Sequence, residues 1–320
     1  MRAPVAADPR PDAHATYTAA WPVHLQRALA PLRRGRLDPC QQHVGDRTVW
    51  RTARTPDGPA VARLMQVDDH DIDCAAWGPG ADWFVAHLPA LLGDGDDHDA
   101  FDPAGNALLR KLHRASPWLR MPCTGLVFEA LVGAIFEQRV TVREALDARR
   151  WLITWHGEQP PASPAGMPGL MRVMPDARTW ASIPSWDWHR AGCDVHRAAT
   201  IRRCAQVARR LDETFAMERV EGLRRMRAVR GVGVWTVAET WQRSHGDADL
   251  VSFGDVHLAR FVGYALTGAE VDDDGMEELL EPWRGHRHRV VRLLQLAAGH
   301  GLVTLPPRVP RARPRQHLGF

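Results

Sequence analysis

Residues 223–261 read LRRMRAVRGVGVWTVAETWQRSHGDADLVSFGDVHLARF, and the reading of this stretch decides the fold. Leu223, Met226 and Val229 recur at helical spacing until Gly231-Val232-Gly233 breaks the run, where the backbone must turn tightly or take a positive φ. A second helix starts there. Its first turn leaves N–H groups unpaired and aimed along the axis, and glycines without side chains let an anion's oxygen approach them closely. Asp247 to Gly254 then reads as a loop, and Asp255 opens the apolar-periodic segment Val256, Leu258, Phe261, Val262 and Ala265, which makes it a candidate helix cap. Taken singly these features are common: a helix-to-helix turn needs glycine for steric reasons alone, and an aspartate before a helix is ordinarily an N-cap.

Composition bounds the rest. A chain of 320 residues with 45% hydrophobic content can bury two or three packed domains. No apolar run reaches the roughly twenty residues needed to span a bilayer, and the N-terminus has no apolar signal core, so a cytoplasmic protein without membrane contact is expected. The five cysteines are scattered, which suggests neither a disulfide framework nor a zinc site. The net charge of +3 says little about partners. Lys111 is the only lysine, so an amine for Schiff-base chemistry is scarce, and thirteen tryptophans offer flat rings that stack bases as readily as they fill cores.

The pattern predicts an α+β protein with a small strand-containing N-terminal domain and a mainly helical body. Residues 1–15 lack periodicity and are expected to be disordered; an α/β domain is expected over 16–117, a helical domain over 118–305 with the hairpin at 223–242, and a basic, proline-rich disordered tail over 306–320. Partial alternation over Gln42–Arg54 and Ala60–Val67, around Thr55-Pro56-Asp57-Gly58-Pro59, predicts a hairpin. Trp83, Phe84, His87, Leu88, Leu91 and Leu92 fall on one helical face. A further helix, capped by Thr124, carries Leu126, Val127, Leu131, Ile135 and Phe136, and another runs from Val142 to His156.

The string MRAVRGVGVWTVAETW, followed about twenty residues later by SFGDVHLARF, resembles the helix-hairpin-helix and catalytic-aspartate signature of base-excision DNA glycosylases. With the order of a strand-containing part before an all-helical body, the chain is similar to their DNA-3-methyladenine glycosylase II branch, most of all at Phe128–Thr141, Leu223–Phe261 and Glu281–Leu294. The resemblance implies that the amides of Gly231, Val232 and Gly233 hold the backbone of double-stranded damaged DNA, that Asp255 is the catalytic carboxylate, and that the protein works as a monomer.

It further implies a base pocket. Trp235 stands where lyase members carry lysine and would offer its π face to a cationic methylated purine. Trp283, in Glu281-Pro282-Trp283-Arg284, matches a second pocket tryptophan. Gln138 matches a glutamine facing the lesion, Glu239 shares the face of Trp235, and Arg139 falls where a side chain wedges into the base stack. Gly285-His286-Arg287-His288-Arg289 departs from the family pattern, and its histidines read as solvated. With no cysteine beyond Cys204 an iron–sulfur cluster has no ligands after Asp255; no cofactor is required, and a potassium or sodium ion on the hairpin carbonyls is common in the superfamily. The expected activity is monofunctional release of alkylated purines of the 3-methyladenine type. The alternatives are a bifunctional glycosylase/lyase for oxidised purines and a non-catalytic protein that binds damaged DNA.

Overall fold

The computed structural model describes residues 8–103 and 105–307. Its N-terminal part is a five-stranded antiparallel sheet of order β1-β5-β4-β3-β2, formed by β1 (Ala13–Thr18), β2 (Gln41–Val44), β3 (Thr48–Thr55), β4 (Gly58–Gln66) and β5 (Asp71–Trp77). Side chains alternate between its faces with period two. Val49, Ala53, Ala60, Ala62, Leu64, Ile72, Cys74 and Ala76 pack on one side with Leu25, Leu29, Phe84 and Leu88. Trp50, Val61, Ala75 and Trp77 pack on the other against Met171, with the two tryptophan rings stacked 6.0 Å apart.

Several expectations are corrected here. Residues 8–15 are ordered: Ala13 pairs with Ala76 across β1 and β5, Pro9 O accepts from Trp77 Nε1, and Asp12 Oδ2 accepts from Gly78 N. The remainder of the 1–15 segment, and nearly all of the 306–320 tail, lie outside the described residues. The run 42–54 is two strands, because Gly45 turns the chain at φ 58°. The single helix expected over 83–92 is two short ones, Ala81–Ala86 and Leu88–Leu91, since Pro89 has no N–H to continue the first.

The helices that place the site are α1 (Ala107–Ala115), α2 (Val127–Phe136), α3 (Val142–His156), α4 (Val195–Gln206), α5 (Arg219–Arg227), α6 (Val234–Ser244), α7 (Leu258–Thr267), α8 (Asp273–Leu280) and α9 (Arg287–Gly299). The central α2 is buried nearly all round, and fully buried side chains such as Leu131, Ile135 and Phe136 each contribute on the order of 2 kcal/mol. Thr124 does not cap it. The helix starts three residues later, and the side chain that serves its first turn is distant in sequence: Asp212 Oδ1 accepts from Phe128 N at 2.9 Å. By contrast α3 starts as predicted, with Thr141 and Glu144 in a reciprocal capping box.

The boundary expected at 117 also fails to separate the packing. Phe101, Leu109, Leu112, Leu119 and Met121 join Val262, Leu280, Val290 and Leu294 in one cluster, so α1 belongs with α7, α8 and α9. Among the described residues no helix is long and apolar enough to cross a membrane.

Candidate active site

The hairpin of α5 and α6 turns through Ala228–Gly233, and its two glycines do different work. Gly231 has φ 99°, and a Cβ there would lie 2.3 Å from Thr200 Oγ1, so both the backbone conformation and the packing demand glycine. Gly233 is extended, at φ −91° and ψ −177°, and a Cβ would meet nothing within 4 Å. It is the N-cap of α6 without a capping side chain, so the N–H groups of the first turn of α6 have no intrahelical partner and face an open approach. Val232 contributes only backbone to this surface, because its side chain is buried in the core.

Two hairpin carbonyls have side-chain partners: Arg230 O accepts from the guanidinium of Arg203 at 2.9 Å, and Gly231 O accepts from Gln138 Nε2 at 3.0 Å. Gln138 also donates to Thr236 Oγ1 at 2.7 Å. It therefore ties the end of α2 to the hairpin instead of facing a pocket. Next to it Arg139 is exposed and carries φ 55°, the one positive φ outside glycine among the described residues. A non-glycine side chain there stores strain and projects beside the hairpin.

Asp255 lies in the loop that leads from α6 to α7. Its Oδ1 accepts from His257 N at 2.8 Å and Leu258 N at 3.0 Å, and its Oδ2 accepts from Trp235 Nε1 at 3.2 Å. The carboxylate is thus fixed from the head of α7 and from the first turn of α6. The loop itself is stapled: Ser252 Oγ donates to Glu239 Oε1 at 2.6 Å, Gln242 Nε2 donates to Leu250 O at 2.7 Å and Ser252 Oγ at 3.0 Å, and Gly254 N donates to Asp273 Oδ2 at 2.8 Å.

Asp255 opens onto a cavity of about 1320 Å³ walled by α6, α7, α9, Pro31 from the N-terminal part, and Met121 and Pro122 from the segment between α1 and α2. Glu239 lines it with its side chain 15% exposed. Burial opposes its charge, yet Arg243 at 2.8 Å, the Ser252 hydroxyl and Arg34 together hold the carboxyl below its ordinary range. Burial pushes His288 down to about 3, with Arg292 adding to the shift, so its ring is neutral. Arg292 is lowered to about 10 by burial and by the neighbouring Arg243, and stays charged at neutral pH.

The expected residues therefore separate. Asp255 and Glu239 line the cavity together, Trp235 meets Asp255 through its indole N–H without lining the cavity, and Gly231, Gly233, Gln138 and Arg139 gather at the hairpin. Trp283 leaves the set: it packs in the core of α7, α8 and α9 and does not line the cavity. His288, expected on a solvated face, is half-buried and lines the cavity. His288, Arg292 and Gln295 were missed, although their spacing of four and three residues puts them on one face of α9.

No protein-family model and no curated protein matches this chain. Solved structures do. The 3-methyladenine DNA glycosylase from Archaeoglobus fulgidus superposes with a TM-score of 0.74 at 15% identity, covering 88% of this chain and 98% of that one. The 8-oxoguanine glycosylase/lyase of Clostridium acetobutylicum, in complex with double-stranded DNA containing cytosine opposite 8-oxoguanine, gives 0.65 at 10% identity over 92% and 100%. Its apo form gives 0.67 at 10% identity over 90% and 96%. The chain has the fold of the helix-hairpin-helix DNA glycosylases. That fold is shared by enzymes of two substrate classes and does not choose between them.

Proposed function

We propose that this protein is a monofunctional DNA glycosylase, which turns a damaged nucleotide out of double-stranded DNA, hydrolyses its N-glycosidic bond and leaves an abasic site. The observation that carries the reading is Asp255, a carboxylate fixed by three hydrogen bonds at the wall of a large cavity, one hairpin away from an open helix N-terminus. Breaking the bond leaves positive charge on the sugar, and a fixed anion stabilises that charge without reorganising. The first turn of α6 would hold a phosphate, Arg139 would fill the gap left by the extruded nucleotide, and the cavity would take the base. Water then attacks the sugar, and the backbone stays whole.

A lyase needs an amine at the sugar carbon, whereas Trp235 beside Asp255 has none to give. Lys111 sits exposed on α1 and does not line the cavity. Of the two tryptophans that would support the 3-methyladenine type of substrate, Trp235 touches Asp255 but does not line the cavity, and Trp283 lies in the core.

Incubating the full chain with duplexes that hold a single methylated, deaminated or oxidised purine tests the proposal. Base release with strand breakage only after hot alkali is the expected result. Tight binding without release would leave a DNA-binding protein, and a borohydride-trapped adduct would make the enzyme a lyase.

A further inference from the structure

The polar groups around the cavity divide into those already satisfied and those with hydrogen bonds to offer. Glu239 accepts from Ser252 and Arg243, Gln242 donates to Leu250 O and Ser252, and Arg243 donates to Pro31 O and Glu239. Arg292 and His288, at i+4 and i on α9, have no hydrogen-bond or ion-pair partner among the described residues. A guanidinium is a rigid planar fork that carries only donors, so whatever meets Arg292 must present acceptors.

We infer that this cavity takes a neutral purine with a carbonyl oxygen at C6 beside an unprotonated N7, read by the guanidinium fork of Arg292. The inference rests on the glycosylase reading and names its substrate class. A guanidinium pairs bidentately with O6 and N7 of such a base. A 6-aminopurine sets an N–H against the N–H of the fork, and a purine methylated at N7 has lost that acceptor and brings a positive charge to a site that already holds one. Neutral His288 has one N–H and one free ring nitrogen for the remaining edge.

Guanine itself has the same edge, and discrimination against it would lie in extrusion. A deaminated adenine opposite thymine is mispaired and costs less to flip than guanine opposite cytosine. The cavity reads the edge and the duplex supplies the defect.

Single-turnover release would be measured from matched duplexes holding hypoxanthine opposite thymine, 7-methylguanine opposite cytosine or 8-oxoguanine opposite cytosine. Hypoxanthine should leave fastest, by ~10-fold or more over 7-methylguanine, which is the scale of one bidentate contact. Arg292→Gln should cut hypoxanthine release by ~10- to 100-fold and collapse that ratio, and Arg292→Lys, with the charge but not the fork, should fall between. Affinity for an abasic-site duplex reports that the variants are folded. Wild-type protein releasing 7-methylguanine or 8-oxoguanine faster than hypoxanthine would overturn the inference while leaving the glycosylase reading intact. Release of no base by a wild-type protein that still binds abasic DNA would sink both.

Discussion

Trp235 Nε1 donates to Asp255 Oδ2 at 3.2 Å, so an indole from the first turn of α6 orients the carboxylate whose other oxygen heads α7. The ring thereby turns its edge to the aspartate and fixes the orientation of its charge. Replacing it tests that role. Trp235→Phe keeps most of the apolar body and removes the donor, so base release should fall by ~10-fold, near the worth of a hydrogen bond to a charged group. Trp283→Phe should leave the rate within ~3-fold, since its Nε1 is buried without a partner and the ring lies in the core. Single-turnover rates of the two variants on one duplex decide the matter.

Asp255→Asn should lower base release by ~100-fold or more while binding to an abasic-site duplex is kept, because the charge acts in the transition state. The amide oxygen can still accept from His257 N and Leu258 N, so the head of α7 survives. The other side changes, as an amide N–H2 then faces Trp235 Nε1, donor against donor. A variant with near wild-type rates would remove Asp255 from catalysis.

The two hairpin glycines should part company. Gly231→Ala forces a side chain into φ 99° and against Thr200, and should cost the fold ~2 kcal/mol or more in denaturant unfolding. Gly233→Ala meets neither problem and should leave stability nearly unchanged. Its methyl group stands at the open helix N-terminus, so it should weaken binding to all duplex sequences alike. Equal loss of stability in both would contradict the geometry.

Acid should destabilise the protein from the histidine range downward. Burial holds His43, His113 and His245 at about 4 and His288 at about 3, each lowered from 6.5. The unfolded chain then binds more protons than the folded one below 6.5, so stability is fully present above that value and is lost as pH falls toward 4. His245, stacked on Trp241 at 3.5 Å, is a place to test it. His245→Phe should flatten the decline in melting temperature between pH 7 and 5, and an unchanged slope would count against it.

Local signals were legible and distant partners were not. The turn at Gly231, the start of α3 at Thr141 and the seat of Asp255 before a helix all follow from residues within a few positions of one another. The cap of α2 comes from Asp212, more than eighty residues away, so Thr124 looked like the better cap. The ion pairing of Glu239 was hidden because the residues that pair it, Ser252 and Arg34 as well as Arg243, converge from three parts of the chain. Trp283 was placed by motif, and a motif fixes position along the chain but not which way a ring faces. His288 and Arg292 were within reach of helical periodicity, yet a cluster of arginine and histidine reads as a wet face until the wall opposite is known.

Helix α1 packs on its neighbours Phe101 and Leu119 and also on segments far along the chain. Leu109 and Leu112 pack with Val262, Val290 and Leu294, and the buried Asp96 pairs with the fully buried Arg289, nearly two hundred residues later. During synthesis the sheet can close early, but the apolar side of α1 must wait for α9 to leave the ribosome. The same event brings His288 and Arg292 to the cavity that Asp255 lines, so the element that covers α1 is also the one that finishes the cavity.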